Sequence, residues 1–506
     1  VVVCVVWCEV VWCGTVWCIA VWYREVWTCS LENGHRSEGT GGETAEVGGG
    51  GGSARVSEGG GPRLATPRAS LDQVTHSSSK FFAKFAVSST RLKTHLQNGK
   101  NPRDLEAHIN SAYPVLHHRC LPLLAAFLHF KTKHGTRVEK AVYEGMSLLG
   151  LVDRLLLKRP VTFLGRDDQY LLRDGTRGKG GFEKIGKDYE APPLCLRDYL
   201  SYDEMKLSAL LSVSSASFFV NDGSRKNQGV PGARGSFQDS GVIVGMVGAR
   251  LKKAGYMEWQ DCVVTPKQNT RQAGYGASRD GQHLQQLWAR LWGVTLPVWE
   301  GEGPAVGDDF LLVNKTTRLN VAAYKARMQL TAETLLAEAK SRAVAAGLKA
   351  YVHVVGLGLG VWRASPRQDA LFVEAWGDAI KATDVTHVAH IDFSWIGAAE
   401  CHGVWDGQVF PGTQVVVHFT KRSLHDPVPA GTLLVVSYAW DGNSMPGNEY
   451  WIGKLASTGD GAAACSSGVA ELHNAYINPN VRAANLHVAG PWGVMHVAEY
   501  ASRVLR

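Results

Sequence analysis

The fold is decided by residues 351–380, which read YVHVVGLGLGVWRASPRQDALFVEAWGDAI. The first five residues are mostly apolar and β-branched, and they predict a buried strand. Three glycines follow at alternate positions, namely Gly356, Gly358 and Gly360. Glycine lets a backbone approach a ligand closely or adopt positive φ. From Ala370 onward, apolar residues recur on one side of a predicted helix. Because backbone N–H groups in such a loop attract anions, the segment predicts a cradle for a phosphate or a pyrophosphate.

The glycine spacing argues against two familiar nucleotide motifs. A dinucleotide-binding fingerprint needs G-x-G-x-x-G, but here the third glycine comes one residue early and Val361 stands in its place. An NAD-linked oxidoreductase is therefore disfavoured. No Gly-Lys-Ser/Thr follows, so the loop is not a P-loop. The alternative interpretation is a tight strand-to-helix turn whose glycines serve packing alone.

Composition indicates a soluble globular protein. Hydrophobic residues make up 45% of the 506 residues and charged residues 20%. The net charge of +7 comes without a long basic run, so we expect no nucleic-acid partner. The apolar run at 10–23 is too short for a confident membrane span, and we expect no membrane partner. Scattered cysteines and the lack of a signal peptide predict an intracellular, reducing compartment.

Three regions are predicted along the chain. Residues 1–75 combine a degenerate V-W-C repeat with a Gly/Ser-rich linker, and we expect them to be disordered. Residues 76–200 form a helical region, with apolar spacing that predicts helices at 81–96, 104–129 and 138–157. Residues 203–506 are expected to form a separate α/β domain, with an insertion near 271–310.

The third region alternates strands with helices. A long polar loop, which contains Asn221, Asp222 and Asp239, connects the strand at 218–220 to an apolar segment at 242–252 that we predict to be helical. Further elements are expected as strands at 262–264 and 385–391 and as a helix at 331–346. Such alternation predicts a mixed or parallel sheet covered by helices on both faces.

This order of parts resembles a macrodomain over roughly residues 205–392. The resemblance is carried by FFVNDGSRKNQGVPGARGSFQDSGVIVGMVGARL, DCVVTPKQN and AAGLKAYVHVVGLGLGVW, which stand for the first loop, a strand ending in Thr-Pro, and the second, phosphate-binding loop. The usual G-G-G of the first loop is absent, and GLGLG replaces the Ser-Thr-Gly of the second. The resemblance implies a three-layer α/β/α fold with a mixed central sheet that binds ADP-ribose.

The segment that follows the strand TLLVVSY adds a set of carboxylates. The loop AWDGNSMPGNEYWIGKLASTGD holds Asp441, Glu449 and Asp460 beside several aromatic residues. This pattern resembles the divergent macrodomain hydrolases typified by the bacterial effector MavL, which remove ADP-ribose from arginine. Glu449 stands where that alignment has an aspartate. The alternative is an acidic turn that stabilises its own backbone through Asx-type hydrogen bonds.

The resemblance implies a role for each candidate residue. Asp441 contacts the ribose and a water, while Glu449 and Asp460 support it or grip the guanidinium of the leaving arginine. Asn443 and Asn448 donate to hydroxyl groups. The glycine loop cradles the pyrophosphate by its backbone N–H groups. Further contacts to adenosine or ribose are assigned to the first loop, at Asn221, Asp222 and Asp239. No resident metal or organic cofactor is implied, and the sequence is neutral on a divalent cation that assists at the pyrophosphate.

Two other functions compete with the hydrolase. A module that only reads ADP-ribose on partner proteins needs the glycine cradle but not the surplus of carboxylates. A metalloenzyme is conceivable from the donors His387, His390, Asp392, Cys401 and His402. Because His387 and His390 are three apart on a predicted strand, they face opposite sides of it and do not easily reach one ion.

Overall fold

The computed structural model describes residues 68–165, 167–277 and 281–505. The V-W-C repeat and most of the predicted linker lie outside these residues. The end of that linker is folded, however, since the first helix of the described residues begins at Leu71. The helices, numbered α1 to α14, are Leu71–Ser79, Leu92–Gln97, Pro102–Asn110, Cys120–His134, Arg137–Tyr143, Leu148–Leu157, Tyr202–Ser208, Trp259–Cys262, Gln285–Trp292, Val321–Ala346, Gln368–Ala382, Gly459–Ala464, Val469–Leu472 and Val497–Val504.

The strands are numbered β1 to β17. They are Tyr113–His117, Thr162–Leu164, Gln169–Leu171, Arg177–Lys179, Leu211–Phe218, Ser240–Met246, Val263–Val264, Phe310–Asn314, Thr317–Asn320, Lys349–Val354, Val388–Ser394, Glu400–Cys401, Val404–Trp405, Val416–Thr420, Thr432–Ala439, His487–Gly490 and Gly493–His496. Four 3₁₀ helices lie between them, at Phe182–Lys184, Arg225–Asn227, Asn448–Ile452 and Ala483–Asn485.

Nine strands form the central sheet, in the order β14-β11-β10-β15-β6-β5-β1-β16-β17. The five strands from β14 to β6 are parallel to one another. β5 is antiparallel to both of its neighbours, β16 is parallel to β1, and β17 is antiparallel to β16. The predicted mixed α/β class is confirmed. Because five neighbouring strands run the same way, their carboxyl ends and the loops that follow meet at one edge.

Helices cover both faces of the sheet. On one face the long helix α10 and its neighbour α11 bury an apolar core with residues such as Met328, Trp376 and Val352. On the other face His473, directly after α13, contacts Ser215 of β5 and Tyr438 of β15, and α13 joins α1 and α3 in a second apolar cluster. The layering expected from the sequence is therefore present. No helix among the described residues combines the length and apolarity needed to cross a bilayer.

Several predicted elements are wrong. Residues 242–252 are not helical, because β6 occupies Ser240–Met246 at the centre of the sheet. A short apolar run buried on both faces does not distinguish a strand from a helix by its period. The predicted helix at 104–129 is interrupted by β1, and residues 81–91 carry no helix.

The region expected to be a separate helical part also enters the sheet. β1 lies between β5 and β16, and β2, β3 and β4 form a small antiparallel sheet of their own. The described residues from 68 to Val497 fall within one compact unit. Residues 271–310 carry α9 and a small apolar cluster made by Tyr275, Ala289 and Leu296.

Candidate functional site

Two adjoining clefts lie where the loops after β6, β10 and β15 meet. The first, of about 180 Å³, is lined by the carboxylates Asp441, Glu449 and Asp460 and by all three glycines of the 356–360 loop. The second, of about 470 Å³, shares Gly356, Gly360 and Arg225 with the first. The structure therefore brings the acidic set and the glycine loop into one continuous depression.

The two clefts differ in their charged lining. The first has the three carboxyl groups of the acidic set together with Arg225 and Arg250. The second cleft is lined by the basic side chains Arg225, Lys226 and Arg422, and no carboxylate is among the described residues that line it. Arg422 lies 3.9 Å from the buried Asp392 behind the cleft wall. All carboxyl groups among the described lining residues thus lie at one end of the depression, and the glycine loop borders both ends.

The glycine loop packs tightly against the segment that follows β6. Gly358 has φ +77°, and a Cβ at that position would lie 2.6 Å from the carbonyl oxygen of Ala249. Within the described part of the chain, the backbone N–H groups of Gly356, Gly358 and Gly360 donate to no backbone or side-chain acceptor. Clustered donors of this kind form a concave site for an anion.

Asp441 sits at the start of the acidic loop, directly after β15. Its Oδ2 accepts a hydrogen bond from Asn448 Nδ2 at 3.1 Å, and its Oδ1 accepts from the backbone N–H of Asn443 at 3.3 Å. Burial and the nearby Glu449 raise the pKa of Asp441 to about 7, against the opposing effect of Arg250. A carboxyl group with a pKa near neutrality is suited to proton transfer at physiological pH.

The other two carboxylates differ in how much of their hydrogen-bonding capacity the protein uses. Asp460, which is 1% exposed, accepts from the backbone N–H groups of Asp441 at 3.0 Å and Gly447 at 2.7 Å. Burial raises the pKa of Asp460 well above its ordinary value, and the two N–H donors oppose that rise. Glu449 is half-buried and accepts from the Thr458 hydroxyl at 2.8 Å, and burial raises its pKa as well. Asp460 therefore ties the loop together, while Glu449 lines the first cleft.

The two asparagines of the loop are engaged inside the protein. Asn443 is buried and its Oδ1 accepts from Arg250. Asn448 is also buried, with Oδ1 accepting from the backbone N–H of Phe163 at 2.9 Å and Nδ2 donating to the carbonyl of Phe163 at 3.1 Å. Neither asparagine lines a cleft. Asn448 thereby connects Asp441 to strand β2.

The polar residues of the first loop shape that loop. Asn221 Oδ1 accepts from the backbone N–H of Gly223 at 2.9 Å, and Asp222 Oδ1 likewise accepts from the N–H two residues on, also at 2.9 Å. Neither side chain lines a cleft, and Asp239 is exposed beside a separate depression. The structure does not bring these three residues to the acidic set. Asn221 and Asp222 build the turn that carries Arg225.

Sequence reasoning missed three residues of the second cleft. Trp395 follows β11, is 70% exposed and has φ +59°, a conformation that is rare for a bulky side chain and found at functional sites. His353 lies on the buried strand β10, and its Nδ1 has no partner within the described chain. Burial lowers the pKa of His353 to about 3, so the ring is neutral. Arg225 is the third. An isolated tryptophan, histidine or arginine belongs to no motif or periodic pattern, so the local sequence does not identify it as part of a site.

The candidate metal donors are separated in the structure. His390 contacts His418, with 3.0 Å between the two ring nitrogens, and His402 pairs with Asp378 at 3.0 Å. Asp392 is buried and accepts from the Tyr351 hydroxyl and from Thr420. In the described ranges no group of three or more His, Cys, Asp or Glu is placed to hold a metal ion.

Comparisons with known proteins point to one family. A family model described as "ADP-ribosylhydrolase MavL-like" matches residues 72–503. The Drosophila melanogaster protein "ADP-ribosylarginine hydrolase CG2909" is 41% identical over 460 residues, which cover 86% of this chain and 90% of the relative. "ADP-ribosylarginine hydrolase CG3568", from the same organism, is 37% identical over 464 residues, covering 88% and 91% of the two chains.

Proposed function

The chain belongs to the MavL-like ADP-ribosylhydrolase family, and on that premise we propose that it binds ADP-ribose and cleaves it from modified arginine side chains of proteins. The observation that carries this proposal is that one depression joins a cleft lined by three carboxyl groups, the glycine loop, and a second cleft lined by Arg225, Lys226 and Arg422. A ligand with a cationic guanidinium at one end, an anionic diphosphate in the middle and a base at the other end matches that order. The two relatives named ADP-ribosylarginine hydrolase support arginine as the acceptor.

The glycine loop fixes where the diphosphate binds in this proposal. The N–H groups of Gly356, Gly358 and Gly360 hold the phosphate oxygens by charge-assisted hydrogen bonds. The nucleobase then enters the second cleft and stacks on the exposed face of Trp395, since aromatic side chains stack on nucleobases regardless of their identity. The distal ribose and its arginine reach the acidic end.

The acidic end supplies the chemistry. Hydrolysis of the N-glycosidic bond passes through an oxocarbenium-like transition state, whose positive charge the ionised carboxylates stabilise. Asp441 orients a water and takes its proton, because its pKa near 7 lets it act as a base at neutral pH. Glu449 faces the guanidinium, for which a carboxylate is the natural bidentate partner. Asp460 holds the loop that presents both.

A binding measurement paired with a release measurement tests the proposal. Asp441→Ala should abolish release of ADP-ribose from an arginine-modified protein while ADP-ribose binding stays measurable by calorimetry. Wild-type protein that binds ADP-ribose tightly but releases none from arginine, or from serine- and carboxylate-linked substrates, would instead identify a reader. Release from the serine or carboxylate linkages alone would correct the acceptor and leave the hydrolase intact.

A further inference from the structure

The side chain of Arg225 occupies the junction between the two clefts. It is exposed and lines both of them, together with Gly356 and Gly360 of the glycine loop. Among the described charged residues, no other lines both clefts. A cation at the junction faces the position where the diphosphate lies in the proposed function.

The first loop is built to hold this arginine in place. Gly223 has φ +81°, and a Cβ there would lie 2.6 Å from Cβ of Leu424, so the turn packs directly on its neighbour. Asp222 Oδ1 accepts hydrogen bonds from the backbone N–H of Ser224 and from Nδ2 of Asn227. The 3₁₀ helix Arg225–Asn227 follows at once. With Asp222 bonded inside the loop, Arg225 and Lys226 are the charged side chains that the loop presents to the clefts, and of the two Arg225 alone lines both.

Arg225 also reaches across the depression. One Nη donates to the carbonyl oxygen of Ser457 at 3.4 Å, and its positive charge opposes the rise in the pKa of Glu449. A single long hydrogen bond to a backbone carbonyl leaves most of the five guanidinium donors unused. Such a guanidinium is free to form a bidentate contact with phosphate oxygens.

We propose that Arg225 recognises the substrate diphosphate and thereby makes the enzyme select ADP-ribosyl groups over shorter ribosyl modifications. This inference rests on the proposed function. The backbone N–H groups of the glycine loop provide geometry but no net charge, so the full positive charge at the junction comes from Arg225. Its contact forms equally in substrate and product, and it therefore contributes to binding more than to the chemical step.

Charge removal at Arg225 tests this role, with Arg234→Gln as the matched control. Arg234 lies on the same loop, is exposed and lines neither cleft. Arg225→Gln should weaken ADP-ribose binding roughly 10- to 100-fold, the range for hydrogen bonds to charged groups, and Arg234→Gln should not change it. The affinity of Arg225→Gln should also fall less steeply with NaCl. Arg225→Lys should keep the salt dependence and recover part of the affinity.

The kinetic readout separates recognition from a structural role. With an ADP-ribosylated arginine peptide, Arg225→Gln should raise KM and leave kcat within a few-fold. Its preference for that peptide over the same peptide trimmed to phosphoribosyl-arginine should fall about tenfold. Unchanged ADP-ribose affinity, or a loss of kcat and thermal stability without a change in affinity, would overturn the proposal. Because the calorimetric measurement needs no turnover, it still tests Arg225 if release from arginine fails.

Discussion

The ionisation of Asp441 is set by neighbours of both signs. Burial and Glu449 favour the neutral acid, whereas Arg250, the Asn443 N–H and Arg159 favour the carboxylate. Arg159 is itself 1% exposed, lies 4.0 Å from the centre of the Trp440 ring and has a pKa lowered to about 9 by burial. The balance leaves Asp441 with a pKa of about 7, so a change in any one neighbour shifts its titration in a known direction.

The pH dependence of hydrolysis should report this balance. Because the folded-state pKa of Asp441 is raised, its carboxylate form is populated only above about pH 7, and kcat/KM should rise with pH to a plateau there. Glu449→Gln removes a negative charge beside Asp441, so the midpoint of the rise should move to lower pH even where the plateau is reduced. An unchanged midpoint in the variant would show that the two carboxylates do not interact.

Asn448 is expected to position Asp441. Its amide joins Asp441 to both backbone groups of Phe163. If Asp441 is the base, as we propose, Asn448→Ala should lower kcat roughly 10- to 100-fold, because a small misplacement of a catalytic group is costly. ADP-ribose affinity should change little, since Asn448 lines no cleft. Asn480→Ala is the matched control. Asn480 is likewise a buried asparagine whose amide donates hydrogen bonds, to Ile109 O and Asn110 Oδ1, but none of its hydrogen bonds within the described chain reaches the acidic loop. Equal effects of the two variants on kcat would contradict a positioning role.

At the scale of elements, two glycines of the same loop differ in how strictly the fold requires glycine. Gly358 needs positive φ and lies against the backbone of Ala249, whereas Gly360 has no positive φ and has open space where a Cβ would lie. We expect Gly358→Ala to destabilise the fold by about 1–3 kcal/mol, because the new methyl is strained and clashes with backbone. Gly360→Ala should leave stability nearly unchanged. Urea unfolding of both variants measures the difference, and equal losses would contradict the packing argument.

Local patterns predicted some elements and failed for others for physical reasons. The strand, glycine loop and helix near 349–382 were predictable because a β-branched run, glycines and an amphipathic helix are each local signals. β6 was mistaken for a helix because both of its faces are buried. A continuous apolar run shows neither the alternation of a strand nor the 3.6-residue period of a helix. The acidic loop was found through its resemblance to a family. Trp395 and Arg225 were missed because their roles depend on which loops the sheet brings together.

At the scale of the whole molecule, the first described hundred or so residues are part of the architecture of the site. Glu471, which is 1% exposed, accepts from the Leu92 N–H at 2.6 Å and from Ser78 and Arg91. The Tyr450 hydroxyl, next to Glu449, donates to the carbonyl of Val87 at 3.1 Å. The non-helical segment around Val87 therefore braces the loop that carries Glu449, and the first two helices hold the neighbouring Glu471.

A truncated variant tests whether residues 203–506 fold alone, as the sequence predicts. We expect this variant to be unfolded or aggregated, because it lacks β1 from between β5 and β16 and leaves unpaired the edge of each strand that faced β1. It also lacks Phe163, the backbone partner of Asn448. A variant comprising residues 68–506 is the control and should retain ADP-ribose release, since the family match begins at residue 72. Circular dichroism measures the folding of both variants, and calorimetry measures their affinity for ADP-ribose. A soluble 203–506 variant with wild-type affinity would establish that the C-terminal region is an independent domain.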